Sequence, residues 1–512
     1  MSKLILDNWL GLVGFEANPF ATREAESEGP ALGEFFVEYP YFDEVRGSGR
    51  HPETTFLFAD RGCGKSANRC MIEEACRDQE IEGQVLAIPH TDFRSILRQV
   101  EGDVSRVTLD MHLHEILRQG VVALLGYLQH FPDAMERLCR DEQPRWVALT
   151  PSTYLTSSFI NRLLRRAGGI GLGLTAERLR EAFHDGDYRQ LILEADRQTR
   201  LTVYLLAVLL HANVAEATSA SPSPVAQLEE FVDLLRCLGF DAAYVLVDRV
   251  DELPDTAQSA RAGVALLSSL LKDLSLLELP RVAFKFFLPT EMQPGVQALV
   301  RTDRVLLRHV TWAENDLRRL LQARLEAFSA NQAISSLSQI SEPEVQDIDQ
   351  RLVHQAVGSP RNLIRLGGLL FSEHCRLPVK ERLHIDAQDW TRAIRRYWSE
   401  LGLQMDHVSG RVTVAGRELP PDALSPREYD VLEFLYQHAG ELCSRDDIAY
   451  NIYGTESGAG VSDSAIDQAV SRLRKKIEPG DDPLFIVTVL GKGYRLDHAR
   501  RSTLTSNQQS RR

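Results

Sequence analysis

The sequence lacks the long apolar runs and paired cysteines that mark membrane and disulfide-stabilised proteins. Its longest apolar stretch, Leu201 to Ala212, is interrupted by Tyr204 and His211 and is too short to span a bilayer. The N-terminus has no signal-peptide core followed by a cleavage site, and the seven cysteines are scattered, with no Cys-x-x-Cys pair. We therefore expect a reduced, cytoplasmic protein without a membrane partner.

The sequence also lacks an excess of positive charge. Its formal net charge is −14, which argues against a protein that coats nucleic acid or anionic membranes without selectivity, so any basic surface has to be local. An apolar fraction of 44% and a charged fraction of 25% are typical of globular proteins. The 512 residues are too many for one hydrophobic core, and about two to four domains are expected, with no internal repeats.

Five short apolar runs predict the parallel strands of an α/β domain. Each run is almost continuously apolar, as expected for a strand that is covered on both faces. The runs are Thr54 to Ala59, Gln84 to Ile88, Ala243 to Val247, Val282 to Leu288 and Val305 to Val310. Helical patterns between them indicate a layered α/β fold, and about 150 residues of helical pattern separate the second run from the third.

These patterns divide the chain into five parts. We expect an irregular N-terminal lead-in, an α/β core with a large helical insertion, a helical lid, a small α+β domain and a disordered tail. In that order, the parts span residues 1–50, 51–313 (with the insertion at about 95–230), 314–400, 410–497 and 498–512.

An eight-residue segment after the first strand matches the Walker A pattern of phosphate-binding loops, with alanine in place of the first glycine. Gly62 and Gly64 let the backbone turn its N–H groups toward phosphate oxygens, and the dipole of the following helix favours negative charge. Lys65 can reach the β- and γ-phosphates, and the Ser66 hydroxyl can bind Mg²⁺. The predicted nucleotide-binding residues are Ala59, Asp60, Arg61, Gly62, Cys63, Gly64, Lys65 and Ser66.

Three acidic residues follow the third strand, at the edge of the sheet where the phosphate loop is expected. Asp248 ends the strand and is predicted to hold Mg²⁺, mostly through water. Asp251 and Glu252 are placed to orient or deprotonate an attacking water. The loop and the acidic residues together predict a site for ATP and Mg²⁺.

The segment Leu246 to Glu252 resembles the Walker B motif of STAND-class NTPases, which are relatives of AAA+ and origin-recognition ATPases. The resemblance covers residues 15–95 and 230–400 and implies a P-loop NTPase that serves as a switch. It also implies roles outside the two Walker motifs. These are a sensor at Thr290 and Glu291, an arginine finger at Arg301 or Arg304, a lid arginine at Arg361 that contacts the γ-phosphate, and a segment near the adenine at Asn18-Pro19-Phe20.

Three helices and a terminal hairpin are predicted between residues 410 and 497. Ser425-Pro426-Arg427-Glu428 is a capping box that opens the first helix, and Ser444 opens the second in the same way. In the third helix, about Ser464 to Glu478, apolar residues recur at spacings of four, three and four, which predicts one buried face. The opposite face carries Gln468, Ser471, Arg472 and Lys475, with Arg474 and Lys476 at its flanks.

The positive charge of this segment is concentrated on the third helix. Residues 411–496 contain 14 acidic and 10 basic residues, and four of the ten basic residues lie between Arg472 and Lys476. Arginine, glutamine and serine side chains read base edges or bind phosphates in the major groove of DNA. The alternative is a solvated basic helix in a small packing domain.

The segment resembles the OmpR/PhoB-type winged helix over nearly its whole length, in Leu424 to Tyr429, Ser471 to Lys476 and Val489 to Arg495. The resemblance implies that the third helix enters the major groove of double-stranded DNA and that the wing around Lys492 touches the backbone or minor groove. A loop at Thr455 to Ser462 can contact RNA polymerase in that family. The implied DNA contacts are Arg472 and Lys475, followed by Arg474, Gln468, Ser471 and Lys492.

The two motifs together predict an ATP-switched, DNA-binding transcription regulator that is built from an α/β P-loop NTPase and a winged helix. ATP bound between core and lid would change domain packing or assembly, so a nucleotide-dependent homo-oligomer is expected. Two alternatives stay open. One is a STAND-type defence or stress sensor, and the other is an origin- or transposition-type ATPase that loads machinery on DNA.

Overall fold

The protein forms two compact units, residues 24–312 and residues 1–23 with 313–512. We call the first the sheet unit and the second the lid–wing unit. The chain begins with helix α1 (Ser2–Val13), which belongs to the lid–wing unit. The computed structural model describes residues 2–130, 223–257, 259–376, 382–406, 410–453, 463–480 and 482–500.

The sheet unit alternates helices and strands along the chain. Its elements are α2 (Ala25–Glu28), α3 (Leu32–Phe35), α4 (Phe42–Arg46), β1 (Thr55–Ala59), α5 (Lys65–Arg77), β2 (Val85–His90), α6 (Arg94–Gln99), α7 (Leu109–His130), α8 (Pro224–Cys237), β3 (Ala242–Val247), α9 (Ala260–Lys272), α10 (Leu274–Leu277), β4 (Val282–Pro289), α11 (Gln293–Gln297) and β5 (Leu306–Val310). The strands form one parallel sheet in the order β2-β3-β4-β1-β5. The predicted α/β fold with a parallel sheet is thereby confirmed, and each strand ends within one or two residues of its predicted bounds.

The register of the sheet brings the ends of β1, β3 and β4 to one edge. Ala59 of β1 is level with Pro289 of β4 and with Val310 of β5, and Val247 of β3 is level with Phe286 of β4. β1, β3 and β4 are buried along their whole length. The loop after β1 and the acidic residues after β3 therefore leave the sheet at the same edge.

Helices pack on both faces of the sheet because successive side chains of a strand point to opposite faces. Phe56 and Phe58 lie in one core with α6, α7, α8 and α9, whereas Leu57 lies in another with α4 and α5. This differs from the expectation of a helical insertion at about 95–230. In the described parts of that segment, residues such as Leu113 and Leu228 belong to the core of the sheet unit. The rest of the predicted insertion, residues 131–222, lies outside the described residues.

The lid–wing unit continues after the sheet with helices and then two small antiparallel sheets. Its further elements are α12 (Glu314–Phe328), α13 (Ile348–Ala356), α14 (Pro360–His374), α15 (Ala387–Leu401), β6 (Leu403–Asp406), β7 (Arg411–Val414), β8 (Arg417–Glu418), α16 (Pro426–Gln437), β9 (Leu442–Cys443), α17 (Arg445–Tyr453), α18 (Asp463–Ile477), β10 (Ile486–Val489) and β11 (Gly493–Leu496). The sheet orders are β6-β7-β8 and β10-β11-β9. The predicted capping box at Ser425 is present, since its hydroxyl accepts the Glu428 N–H and the Glu428 carboxylate accepts the Ser425 N–H.

Both ends of the chain are more regular than the sequence predicts. In the expected irregular lead-in, α1 buries Trp9, whose ring centroid lies 4.9 Å from that of Phe371. At the other end, the expected disordered tail starts too early, because Ala499 bridges to Leu403 and the Arg500 N–H donates to the Leu403 carbonyl at 2.8 Å. Residues 501–512 lie outside the described residues.

The ammonium group of Lys285 is buried in the sheet unit. Lys285 is 0% exposed, and its Nζ donates to the Glu53 carbonyl oxygen at 2.9 Å and lies 4.8 Å from the ring centroid of Tyr244. Burial lowers the pKa of Lys285 from 10.5 to about 7. Between these two values the unfolded chain binds more protons than the folded chain, so the free energy of unfolding rises with pH across this window.

Replacing Lys285 with methionine is expected to remove this pH dependence, because methionine has a similar length and no charge. The variant should be more stable than the wild type by on the order of 3 kcal/mol at pH 6, and the difference should shrink by up to about 1.4 kcal/mol per pH unit above pH 7. Urea denaturation between pH 6 and pH 10 measures this. The control variant Lys272→Met changes an exposed residue of α9, and its free energy of unfolding should depend on pH as that of the wild type does. The prediction would be wrong if the free energy of unfolding rose equally steeply with pH in Lys285→Met and in the wild type.

Candidate functional site

The segment between β1 and α5 has the backbone of a loop that can surround an anion. Gly62 and Gly64 have φ angles of 82° and 93°, in the left-handed region that other residues rarely adopt. Gly64 is the residue before the first turn of α5, so the amino end of this helix faces the loop. The Trp312 indole N–H donates to the Cys63 carbonyl oxygen at 3.0 Å, which fixes the loop from outside.

The side chain of Lys65 lies inside this loop. Lys65 is 8% exposed, and its Nζ donates to the carbonyl oxygens of Ala59 at 3.2 Å and Asp60 at 3.4 Å. A carboxylate oxygen of Asp251 lies 3.7 Å from Lys65 Nζ and 3.6 Å from Arg61 Nε. The structure thus brings one of the two predicted water-orienting acids to the predicted phosphate-binding lysine.

Asp248 lies at the end of β3 and is 1% exposed. Its carboxylate accepts hydrogen bonds from the Ser66 hydroxyl, from Arg69 Nε at 3.1 Å and from the Arg249 N–H at 2.8 Å. Burial raises the pKa of Asp248, and the Arg69 guanidinium and the hydrogen bonds oppose this shift. Ser66 and Asp248, the two residues predicted to bind metal, are therefore in contact.

Sequence reasoning missed two residues beside Asp248. Arg69 is 5% exposed and pairs with Asp248, with Glu73 at 2.7 Å, and with Glu26 of α2. Glu26 also pairs with Arg249. The only sequence signal for Arg69 is its place three residues after Ser66 on the helix that the loop opens, and Glu26 lies in a segment without a recognised motif.

Glu252, the other predicted water-orienting acid, lies farther from the loop lysine. Its carboxylate lies 3.4 Å from Arg249 Nε, and its side chain is 51% exposed. Burial of the remaining surface raises the pKa of Glu252, while Arg249 opposes the shift. Glu252 is therefore paired with Arg249, and Asp251 with the loop cations.

The predicted sensor residues lie at the same edge of the sheet. Thr290 and Glu291 follow β4 and line a cleft together with Asp60, Arg61 and Asp251. Among the residues that the structure describes, no group of three or more His, Cys, Asp or Glu side chains has the arrangement of a metal site. The Ser66–Asp248 pair instead suits Mg²⁺, which is commonly held by one or two protein oxygens together with phosphates and water.

The structure does not bring the predicted finger arginines to the loop of the same chain. Arg301 and Arg304 precede β5 and so lie toward the amino ends of the strands, opposite to the loop. Arg301 pairs with Asp303 at 3.1 Å and Arg304 with Glu278 at 3.6 Å, all of them well exposed.

Two further predicted residues belong to the lid–wing unit. Arg361 is exposed in the first turn of α14. Phe20, expected near an adenine, is 3% exposed and packs against Phe371 at 5.0 Å between ring centroids. A Cβ added at Gly367 would meet the Phe20 ring at 2.6 Å, so the described contacts of Phe20 are structural.

Helix α18 divides into a buried and an exposed face, as predicted. Ile466, Val470, Leu473 and Ile477 are at most 1% exposed and belong to the core of the C-terminal domain. The opposite face is open to solvent. It carries Gln468, Ser471, Arg472 and Lys475, and the side chain of Arg472 is 65% exposed.

Arg474 lies at the flank of that face, as predicted, and its contact with DNA stays a prediction. Its guanidinium donates to the Ile486 carbonyl oxygen at 2.9 Å and to the Thr488 hydroxyl at 2.7 Å, and lies over the Tyr494 ring. Arg474 thereby ties α18 to the hairpin β10–β11. The flanking Lys476 pairs with Glu428 at 2.6 Å.

The tip of the hairpin extends into solvent beside α18. Lys492 is exposed, and Leu490 is 91% exposed. At the base, Gly493 has a φ of 136°, and a Cβ there would meet the Cys443 carbonyl oxygen at 2.1 Å. Glycine is therefore required where the hairpin passes β9. The loop at 455–462, predicted to contact RNA polymerase, lies outside the described residues.

Comparison with known proteins assigns the C-terminal domain. The family described as "Transcriptional regulatory protein, C terminal" matches residues 421–496. The phosphate regulon transcriptional regulatory protein PhoB of Escherichia coli (strain K12) is 37% identical over 94 residues, which are 18% of this chain and 39% of PhoB. The transcriptional regulatory protein CusR of the same strain is 38% identical over 95 residues, 19% of this chain and 40% of CusR. The chain thus spans about two fifths of the length of these relatives.

One solved structure similar to this chain is the crystal structure of the Klebsiella pneumoniae RstA DNA-binding domain in complex with RstA box. The two sequences are 34% identical, and the aligned region covers 19% of this chain and 92% of the RstA chain, with a TM-score of 0.17. The family match and the identities to PhoB and CusR show that residues 421–496 are an OmpR/PhoB-type winged-helix DNA-binding domain. The packing of this domain extends further toward the N-terminus than the predicted boundary at residue 410, because Leu403 and Met405 of β6 belong to its core. Among the described helices, none is long and apolar enough to cross a membrane.

Proposed function

We propose that this chain is an ATP-binding, signal-responsive transcription regulator, in which the nucleotide state of the sheet unit controls DNA binding by the C-terminal winged helix. The observation that carries the proposal is the exposed face of α18. That face presents Arg472 and Lys475 to solvent in a domain of a DNA-binding type. A second observation supports the nucleotide part of the proposal, since Gly62 and Gly64 of the same chain adopt the left-handed backbone that suits a phosphate-binding loop.

The residues at the edge of the sheet fit ATP and Mg²⁺. The left-handed glycines let loop N–H groups face phosphate oxygens, and Lys65 supplies a positive charge inside the loop. Ser66 and Asp248 would hold Mg²⁺, which when bound neutralises charge on the phosphates. Asp251 or Glu252 would orient the attacking water and accept its proton. Arg361, and Arg304 from a second copy of the chain in a homo-oligomer, would contact the γ-phosphate and so let the protein distinguish ATP from ADP.

Contacts within the lid–wing unit support a mechanical link from the lid helices to the winged helix. In α15, the Trp398 indole N–H donates to Gln355 Oε1 of α13 at 3.2 Å, and its ring centroid lies 6.2 Å from that of Phe485 next to β10. Arg395 pairs with Asp482 at 2.7 Å. Since α15 packs on both the lid and the winged helix, a movement of the lid helices would carry the DNA-binding domain with it.

The proposal extends to the assembly of the chain into homo-oligomers and to its recruitment of RNA polymerase. A regulator of this type would bind double-stranded DNA as a nucleotide-dependent homo-oligomer, and the loop at 455–462 would be its surface for RNA polymerase. Both are proposals that rest on the resemblance to the OmpR/PhoB type.

Selection of genomic DNA fragments by the purified full-length chain, with and without ATP, tests the proposal. We expect enrichment of one discrete sequence motif and a change of at least several-fold in affinity for that motif when ATP is added, since allosteric coupling typically changes affinity about 5- to 150-fold. An absence of sequence preference under both conditions would contradict the regulator function.

Assays of ATP hydrolysis and of assembly, run beside this selection, separate the two alternative functions. An origin- or transposition-type loader would show ATP hydrolysis that DNA of any sequence stimulates. A STAND-type sensor would show nucleotide-dependent assembly in response to a ligand without a preferred genomic site. The family of the C-terminal domain favours the regulator over both.

A further inference from the structure

The acidic residues after β3 belong to a charge network that extends to α2. Glu26 of α2 pairs through one carboxylate oxygen with Arg69 and through the other with Arg249. Arg69 continues to Asp248, and Arg249 continues to Glu252. One glutamate thus anchors two arginines, each of which lies against one of the acidic residues of the candidate ATP site.

The two arms of this network differ in burial. In the Arg69–Asp248 pair, the side chains are 6% and 1% exposed, so breaking it would leave a buried charge without its partner. In the Arg249–Glu252 pair, they are 35% and 51% exposed. An ion pair with this much solvent exposure contributes little to stability. The first arm therefore holds the fold of the site, while the second can serve to place a side chain.

The backbone at Arg249 is held in a conformation that a large side chain rarely adopts. Its φ is 65°, in the left-handed region. This conformation persists only where the surrounding structure requires it, and such residues cluster at functional sites. Here it lets the Arg249 N–H donate to Asp248 Oδ1 at 2.8 Å while the guanidinium reaches Glu26 and Glu252.

We propose that Arg249 is a positioning residue for Glu252, and that Glu26 holds its guanidinium in place for that role. Arg249 fixes the direction of the Glu252 carboxylate and favours its ionised form, the form that can accept a proton from water. Arg249 itself needs no contact with nucleotide. The inference rests on the proposed function, because it concerns the water-activating step of ATP hydrolysis.

The test compares steady-state ATP hydrolysis by the full chain with ATP binding by calorimetry. Arg249→Asn removes the guanidinium and keeps a residue that tolerates the left-handed backbone. We expect kcat to fall between roughly tenfold and a hundredfold, since a misplacement of about 1 Å can cost about a hundredfold, with the Kd for ATP unchanged. Arg249→Lys, which keeps the positive charge, should recover part of kcat.

A double-variant cycle with Glu26→Gln identifies the anchor. Glu26→Gln should lower kcat by less than Arg249→Asn, and the double variant should be no slower than Arg249→Asn alone. A further loss of kcat in the double variant would show that Glu26 acts through its other partner, Arg69, and would overturn its role as the anchor of Arg249. Arg281→Asn is the matched control. Arg281 is also an arginine with a left-handed φ, 64°, but it lies next to the amino end of β4, away from the site.

The possible outcomes separate the two proposals. A wild-type chain that binds no ATP overturns the proposed function and this inference with it. A wild-type chain that binds ATP without hydrolysing it overturns the inference alone. So does an Arg249→Asn variant with wild-type kcat, or one whose kcat falls only in proportion to a loss of ATP binding or of folded protein.

Discussion

Replacing Arg472 and Lys475 together with alanine is expected to abolish sequence-specific DNA binding while ATP binding by the same chain stays intact. Both side chains lie on the exposed face of α18, opposite a stripe that is buried in the domain core. One good contact with a base edge contributes about 1–3 kcal/mol of discrimination, so the loss of two should weaken binding on the order of a hundredfold or more. Fluorescence anisotropy with the selected DNA fragment measures the affinity.

A matched control separates base reading from a general loss of charge. The double variant Arg417→Ala with Arg427→Ala also removes two positive charges, but from exposed positions in β8 and α16 of the same unit. This variant should keep its preference for the selected sequence and lose affinity only modestly. Equal losses in the two double variants would show that α18 contributes charge alone, and that the recognition surface lies elsewhere in the domain.

The features that the sequence predicts well are those encoded by short spacings. The Walker A segment needs only eight consecutive residues, and the glycines at 62 and 64 do adopt the left-handed backbone that the pattern requires. The buried stripe of α18, from Ile466 to Ile477, follows from a helical period that repeats over about three turns. In both cases the side chains that matter are neighbours along the chain, so no knowledge of the fold is needed.

The features that the sequence does not predict depend on distant partners. Arg474 has the composition and helical position of a DNA contact, but its partners Ile486 and Thr488 come from a hairpin that only the fold brings to α18. Arg69 meets Asp248, which is 179 residues away, and Glu26, which is 43 residues away. No spacing rule connects residues so far apart, and these partners decide which charged side chains remain exposed.

Domain boundaries were hard to predict for a related reason. The segment at 95–130 looks like an insertion because it separates β2 from β3 in the chain, but its apolar residues cover one face of the sheet. Helical periodicity shows that a helix has an apolar face without showing which core the face joins. The same limit applies to α1, whose Trp9 packs in the lid–wing unit from the opposite end of the chain.

Replacing Lys65 with alanine is expected to weaken ATP binding by about a hundredfold, since a hydrogen bond to a charged group contributes about 1.5–3 kcal/mol and 1.4 kcal/mol corresponds to tenfold in Kd. Lys65 Nζ also lies 3.7 Å from Asp251. Without the Lys65 ammonium group, the Asp251 carboxylate would repel the phosphates of ATP. Isothermal titration calorimetry of the full chain measures the change, and Lys272→Ala, at an exposed position of the same unit, should bind ATP as the wild type does.

The Lys65→Ala variant also tests whether the two units communicate. It should bind the selected DNA with the affinity that the wild type has in the absence of ATP, and adding ATP should no longer change that affinity. Since coupling between two binding sites is reciprocal, the selected DNA must change the affinity of the wild type for ATP by the same factor as ATP changes its affinity for DNA. A wild-type chain whose ATP affinity is the same with and without that DNA would show that the winged helix works independently of the nucleotide.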